Sequence, residues 1–247
     1  MIRIAIVDDE PINRSFLETS IRSAWAKPIT IDAYSSLAEL VSLGGGSACS
    51  HALVDLSFGS LHRSGSPINN TGVDVVDCLL ASAPTCTIAV VTRFDDDPLM
   101  PEMVVAIRQT WPDIRFLHKN DGALVSRVIE LLRGEPVIDN AVFAMTLAGQ
   151  PHVPIDALRD ALLAGMYGRP GARVLRALSE LTAKPTAAEL GRELHNEAQY
   201  VRSVLQWCGV TLRTLGLLGY RDQAGLDRLW LWARARRAIL CRAFPDV

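Results

Sequence analysis

The sequence has no apolar run of the roughly 18 residues that a membrane-spanning helix needs, so we expect no membrane partner. The amino terminus has no basic stretch followed by an apolar core, and we therefore expect no secretory signal. Cysteines are few, five in 247 residues, and none has the paired spacing of a metal or redox motif. These absences predict a cytoplasmic protein whose thiols are free.

Charge is unevenly distributed along the chain. The formal net charge is only −2, but residues 1–150 carry −7 and residues 151–247 carry +5. An acidic half and a basic half predict two domains with different partners, and the basic half is compatible with nucleic acid.

The two halves also differ in their secondary-structure patterns. The first half alternates strand and helix signals, which predicts an α/β domain with a doubly wound, five-stranded parallel sheet covered on both faces. The second half has no clear strand and is predicted to be all α-helical. The predicted strands are at 2–7, 29–33, 51–55, 87–92 and 114–118; predicted helices are at 11–26, 35–42, 72–81, 99–109, 121–133, 138–148, 154–166, 171–182, 186–194, 197–208 or beyond, and 223–242.

Polar residues follow or end four of the predicted strands. Asp8 and Asp9 follow the first, Asp55 ends the third, Thr92 ends the fourth and Lys119 follows the fifth. In an open α/β sheet, ligands bind outside the carboxyl ends of the strands. Converging carboxylates repel one another unless a cation lies between them, and hard oxygen ligands in a small cleft favour Mg²⁺.

This set of residues suits phosphoryl chemistry. The Asp55 carboxylate can attack phosphorus, Lys119 can pair with the added charge, and the Thr92 hydroxyl can donate a hydrogen bond to it. Taken singly, an aspartate after a strand is more often a cap or turn residue. A phosphatase built on the same carboxylates is an alternative, but no independent general base is evident, so we expect the protein not to be an enzyme.

At these residues the sequence resembles the receiver domain of two-component response regulators. The resemblance covers residues 1–133 and implies that a sensor histidine kinase phosphorylates Asp55. It also implies that Thr92 and Phe116 act as switch residues and that Lys119 contacts the phosphoryl group. The implied Mg²⁺ ligands are Asp8, Asp9, Asp55 and the backbone carbonyl of Ser57. The segments that carry the resemblance are Ile6–Pro11, Val54–Leu56, Gly72–Val76, Val91–Thr92 and Phe116–Lys119.

One connection is unusually long for a βα loop, which commonly has about 2–6 residues. It spans residues 56–71, is rich in Ser, Gly and Asn, and exceeds the length usual in receivers. We expect this loop to be mobile.

In the basic half, two short helical patterns are joined by a tight turn. Thr186 and Glu189 form a capping-box pattern at the start of the first, and Asn196 is a candidate cap for the second. This pattern is typical of a helix-turn-helix, in which the second helix enters the major groove of DNA. A plain amphipathic helical bundle is the alternative interpretation.

The second of these helices carries the candidate DNA-binding residues. Arg202 can read guanine, and Gln199 or Gln206 can read adenine. Arginines of the predicted last helix, at 223–242, can contact phosphates or cover apolar surface. The candidate DNA-binding residues are Gln199, Tyr200, Arg202, Ser203 and Gln206.

Residues 171–208 resemble, more weakly, the LuxR/NarL-type output domain. The matching segments are Val174–Leu178, Glu189–Leu194 and Tyr200–Leu205, and His195 stands where a turn glycine is usual. The resemblances imply a receiver domain at 1–133, a helical linker at 134–170 and a helical DNA-binding output domain at 171–247. They imply a transcription regulator in which phosphorylation of Asp55 controls homodimerisation and binding to double-stranded DNA. The alternative is a receiver whose helical output binds a protein and not DNA.

Overall fold

The computed structural model describes residues 1–44, 48–58, 71–93, 99–181, 183–218 and 225–247. Its internal contacts divide the chain into two compact units. Unit 1 comprises Met1–Asp96 and Asp113–Thr146, and unit 2 comprises Asp97–Pro112 and Leu147–Val247. A segment from the first half of the chain thus belongs to unit 2. The limits predicted after residues 133 and 170 stay predictions.

Unit 1 contains a five-stranded sheet in which every strand pair is parallel, in the order β2-β1-β3-β4-β5. This confirms the predicted fold class for the first half of the chain. The three central strands form where short runs rich in Ile, Val and Ala are mostly buried, as is typical of parallel sheets covered on both faces. Their bounds are β1 Ile2–Val7, β2 Ile29–Tyr34, β3 His51–Val54, β4 Thr87–Thr92 and β5 Arg115–His118.

The helices also begin and end close to the predicted residues. Pro11 occupies the first turn of its helix, where a missing N–H costs nothing, and Gly134 follows another helix with a φ of 72°. The helices up to residue 147 are α1 Pro11–Ala24, α2 Leu37–Ser42, α3 Gly72–Ser82, α4 Leu99–Thr110, α5 Leu124–Leu132 and α6 Ala141–Leu147.

One face of the sheet packs on α1 and α5 through a continuous apolar core. Burying these side chains holds the central strands in register and so aligns their carboxyl ends. Members of this core include Ile4, Ile6, Leu17, Ile21, Leu53, Val91, Leu117 and Val128.

All the regular secondary structure of unit 2 in the part that the structure describes is helical, as predicted. The predicted final helix at 223–242 is wrong in one respect, because the chain forms two helices that meet at Arg236. Beside α4, this unit contains α7 Ile155–Leu163, α8 Gly168–Glu180, α9 Ala187–Glu193, α10 Ala198–Thr214, α11 Leu226–Ala235 and α12 Arg237–Ala243.

Candidate functional site

The sheet brings the predicted residues at the ends of four strands into one cleft. Asp8 follows β1, Asp55 follows β3, Thr92 ends β4 and Lys119 follows β5, and these four strands are neighbours. Asp8 and Asp55 are buried, and Thr92 is inaccessible to solvent. The sequence could predict this convergence, because the carboxyl ends of parallel strands share one edge.

Lys119 forms ion pairs with both buried carboxylates. Its Nζ atom lies 2.7 Å from Oδ2 of Asp8 and 2.7 Å from Oδ2 of Asp55. The remaining oxygens are also occupied: Oδ1 of Asp8 accepts from the Glu10 N–H at 2.9 Å, and Oδ1 of Asp55 accepts from the Leu56 N–H at 2.8 Å. One cation thus offsets two buried anions, which leaves an excess of negative charge in the cleft.

The electrostatics of Asp55 reflect this imbalance. Burial and the neighbouring Asp8 carboxylate together outweigh the ammonium of Lys119 and a hydrogen bond with Thr92, and they raise the pKa of Asp55 to about 6. Burial lowers the pKa of Lys119, but the two carboxylates overcome that effect and raise it. Lys119 therefore remains charged at neutral pH, and the ionised form of Asp55 is destabilised by its surroundings.

The carboxylates are placed to hold a cation. One oxygen each from Asp8, Asp9 and Asp55 lies within 4.8 Å of the others. Ser57, whose backbone carbonyl is the fourth predicted ligand, lines the same cleft of about 140 Å³ together with Asp9 and Asp55. An all-oxygen set of this kind fits Mg²⁺ with several retained waters better than it fits a transition metal.

The predicted switch residues Thr92 and Phe116 are both fully buried. The Phe116 ring packs on Phe143 of α6, with 5.7 Å between ring centroids, and the Phe116 N–H donates to Asp139 Oδ1 at 2.9 Å. Phe143 is itself inaccessible to solvent. Sequence reasoning missed Asp139 and Phe143 as partners of Phe116, because they lie 23 or more positions further along the chain.

Gly72 is a second residue whose role the sequence did not reveal. A Cβ atom at this first position of α3 would lie 2.2 Å from the Asp55 carbonyl oxygen and 2.6 Å from the Leu56 Cα. Both of these are backbone atoms, which cannot rotate away. Glycine therefore lets α3 begin directly against the segment that carries Asp55.

Gly72→Ala is expected to lower the free energy of unfolding by about 1–3 kcal/mol, the usual cost of overpacking, and to weaken Mg²⁺ binding by displacing Asp55. Urea unfolding and Mg²⁺ titration of the full-length protein measure the two effects. Gly122→Ala is the matched control, because a Cβ there meets nothing within 4 Å. Equal effects of the two substitutions would contradict the proposed role of Gly72.

Most of the long connection at 56–71, residues 59–70, lies outside the described residues, so its predicted mobility stays a prediction. The last residue of this connection, Thr71, is described and forms a capping box with Asp74 at the start of α3. Asp74 Oδ2 accepts from the Thr71 N–H at 2.6 Å.

In unit 2, α9 and α10 are joined by a tight turn as predicted. The Thr186 and Glu189 capping box is present. His195 has a φ of 53°, the left-handed conformation in which a glycine is usual. The predicted cap Asn196 is wrong: Glu197 is the N-cap of α10, and Asn196 donates from Nδ2 to the Leu194 carbonyl at 2.7 Å.

The candidate DNA-binding residues occupy the polar side of α10. Gln199, Arg202 and Gln206 are exposed, and Ser203 is half-buried. Tyr200 is partly engaged within unit 2, where its ring meets that of Tyr167 edge-on at 5.9 Å. Their roles toward DNA remain predictions.

The arginines at the carboxyl terminus do not all face solvent. Arg234 and Arg236 are buried, and Arg234 donates to the Ser179 carbonyl at 3.0 Å. For these two residues the expectation of phosphate contact or surface coverage is wrong, because neighbouring helices enclose their guanidinium groups.

No helix in the described ranges is long and apolar enough to cross a membrane. No protein-family model matches the sequence, and no curated protein matches it significantly.

Several solved structures of other proteins align with this chain. RcsB of Salmonella typhimurium is 16% identical, covers 93% of this chain and 99% of its own, and has a TM-score of 0.46. ChrA, from a heme-sensing two-component system, is 17% identical over 96% of this chain and 98% of its own, with a TM-score of 0.41. A CheY-like receiver domain from Methanospirillum hungatei is 13% identical over 54% of this chain and 92% of its own, with a TM-score of 0.40.

These similar proteins are response regulators. One solved structure contains two RcsB dimers bound to two parallel DNAs; it is 15% identical, covers 96% of this chain and 98% of its own, and has a TM-score of 0.48. At these identities and TM-scores the likeness supports no functional conclusion, which depends on the chemistry of the site itself.

Proposed function

We propose that this chain is a response regulator whose Asp55 accepts a phosphoryl group with the help of Mg²⁺, and whose C-terminal helices bind double-stranded DNA as a homodimer. The observation that carries the proposal is the position of Lys119 Nζ, 2.7 Å from both Asp8 and Asp55. The Lys119 ammonium thus lies beside the buried Asp55 carboxylate, the proposed nucleophile, in an acidic cleft.

Asp8, Asp9, Asp55 and the Ser57 carbonyl would hold the ion, which supplies charge neutralisation for the carboxylates and the incoming phosphoryl group. The Asp55 carboxylate then attacks phosphorus, forming an acyl phosphate as the bond from phosphorus to the donor breaks. For a sensor histidine kinase, the partner that we infer, the leaving group is the imidazole of a phosphohistidine. Catalytic turnover of other substrates is not part of the proposal.

Lys119 and Thr92 respond to the new charge. The Lys119 ammonium, which pairs with Asp55 before the reaction, can form charge-assisted hydrogen bonds with the phosphoryl oxygens. The Thr92 hydroxyl can donate to the same group. Thr92 lies two residues beyond Val90, the β4 residue that pairs with Phe116. We infer that movement of Thr92 alters the packing of the fully buried Phe116 ring on Phe143 of α6.

Two chain segments can carry this change to the output helices. Thr92 ends β4, and the chain then continues to α4, which belongs to unit 2. Phe116 contacts α6, and the chain then continues to α7 of unit 2. Phosphorylation shifts the equilibrium only if it stabilises one arrangement of these segments over another.

DNA binding is assigned to α9 and α10. The exposed side chains of Gln199, Arg202 and Gln206 combine two amides with a guanidinium, the groups that read adenine and guanine in the major groove. A symmetric dimer would present two copies of α10 to a repeated or palindromic site. We infer a cytoplasmic location, because both proposed partners are found there.

The test is phosphorylation of the full-length protein by acetyl phosphate with Mg²⁺, followed by polarisation measurements on random-sequence duplex DNA. We expect a mass increase of one phosphoryl group on Asp55 and tighter, salt-dependent DNA binding. Asp9→Ala should reduce phosphorylation by impairing Mg²⁺ binding, and Arg202→Ala should weaken DNA binding without changing phosphorylation.

Absence of an Asp55 acyl phosphate would contradict the receiver assignment. Normal phosphorylation without salt-dependent DNA binding in either form would instead favour an output that binds a protein.

A further inference from the structure

Two cysteines meet at the edge of the sheet opposite to the acidic cleft. Cys49 lies just before β3 and Cys86 directly before β4, so both are at the amino ends of neighbouring strands, whereas Asp55 and Thr92 are at the carboxyl ends. The two sulfur atoms are 3.3 Å apart, and only 6% and 7% of the residues' surfaces are exposed. Strand pairing holds the neighbouring backbones together, with the Thr87 N–H donating to the Ser50 carbonyl at 3.0 Å.

The two thiols are chemically unequal. A hydrogen bond from the Cys86 thiol, aided by Arg3 and opposed by burial, lowers the pKa of Cys49 to about 7. The same hydrogen bond and burial raise the pKa of Cys86. Near neutral pH the arrangement therefore supplies one nucleophilic thiolate beside one protonated thiol, the combination that thiol–disulfide exchange requires.

We propose that Cys49 and Cys86 are a redox modification site that forms a reversible intramolecular disulfide by exchange with a low-molecular-weight disulfide such as oxidised glutathione. The proposal is independent of the function assigned to Asp55. It rests on the approach of the sulfur atoms and on their position on two hydrogen-bonded strands.

The exchange takes two steps. The Cys49 thiolate attacks one sulfur of the small disulfide, so a Cys49–sulfur bond forms as the small disulfide's bond breaks and a thiolate leaves. That thiolate takes up the proton of Cys86. The Cys86 thiolate then attacks the Cys49 sulfur and expels the second small thiolate, which is protonated by solvent. The protein loses two electrons, and one small disulfide is reduced to two thiols.

The new bond would close a loop that contains functional parts of unit 1. Residues 49–86 include β3, Asp55 and α3. Closing a loop of this length constrains the unfolded chain and is expected to raise the melting temperature by about 5–15 °C. It would also restrict separation of β3 and β4, the strands that carry Asp55 and Thr92.

The test is incubation of the folded full-length protein with oxidised glutathione at pH 8, alkylation in denaturant and peptide mapping. We expect a 49–86 disulfide peptide, a mass lower by two hydrogens and reversal by a reducing agent. Cys78→Ser is the matched control, because Cys78 is a half-buried cysteine of the same unit and its loss should leave the disulfide intact. Cys49→Ser and Cys86→Ser should each prevent the disulfide.

The wild-type peptide map decides the result even if a serine variant fails to fold. Glutathione adducts without a 49–86 bond, or alkylation of both residues after oxidation, would overturn the proposal. Asp55→Asn should form the disulfide like the wild type, which separates this result from the fate of the phosphorylation proposal.

Discussion

Without Mg²⁺, the Asp55→Asn variant is expected to be more stable than the wild type at pH 7 and equally stable below pH 4. The pKa of Asp55 is raised from 3.8 to about 6 in the folded protein. Between these values the folded state binds more protons than the unfolded state, so the stability of the wild type falls as the pH rises through this window. A shift of this size corresponds to about 3 kcal/mol once Asp55 is fully ionised.

Asparagine removes this cost because it resembles the neutral carboxylic acid in shape and carries no charge. Lys119 keeps Asp8 as a partner at 2.7 Å, so its ammonium is not left buried without a counter-charge. Saturating Mg²⁺ should narrow or reverse the difference in stability between Asp55→Asn and the wild type. The bound ion would stabilise the three-carboxylate cleft of the wild type more than the cleft of the variant.

Urea unfolding between pH 4 and 8, with and without Mg²⁺, measures this effect. Asp113→Asn is the matched control, because it removes one negative charge from an exposed turn in the same unit. If the stability of the wild type rose between pH 4 and 6 relative to Asp55→Asn, the raised pKa of Asp55 would be contradicted.

Glu102→Met is expected to lower the free energy of unfolding by about 3–5 kcal/mol, because it removes the counter-charge of a buried guanidinium. Arg236 is 2% exposed, and its Nη1 lies 3.3 Å from Glu102 Oε2. Its Nη2 donates to Gln109 Oε1 at 2.8 Å, and the guanidinium lies 4.7 Å from the centroid of the Trp232 ring. Burial lowers the pKa of Arg236 to about 10, so the group stays charged at neutral pH.

The double variant Glu102→Met, Arg236→Met should be more stable than Glu102→Met alone, because the Arg236 guanidinium is then not left buried without its counter-charge. Glu180→Met is the matched control: it breaks the more exposed 3.1 Å ion pair with Arg237 and should cost only about 0–1 kcal/mol. Urea unfolding followed by tryptophan fluorescence reports these differences. Equal losses of unfolding free energy in Glu102→Met and Glu180→Met would show that the buried Glu102–Arg236 pair contributes no more than the more exposed pair.

The ion pair also explains part of the division into units. Glu102 and Gln109 lie on α4, and their partner Arg236 lies where α11 and α12 meet. The apolar periodicity of residues 99–109 predicted a helix but did not indicate its partner. That choice depends on a buried charge about 130 residues further along the chain, and local patterns contain no information about such a contact.

The sequence by itself determined the sheet and the members of the acidic cleft. Buried parallel strands are short apolar runs, and their carboxyl ends share one edge, so Asp8, Asp55, Thr92 and Lys119 could be placed together without coordinates. The capping box at Thr186 was also readable, because caps depend on residues only three positions apart.

Only the tertiary structure decided which side chains form ion pairs, ring contacts and hydrogen bonds with one another. It placed Lys119 between two carboxylates, Phe143 on Phe116 and Cys49 beside Cys86. Each of these contacts joins residues that lie far apart in the chain and on different elements. Periodicity records which side of an element is buried, whereas packing between elements decides what each buried group meets.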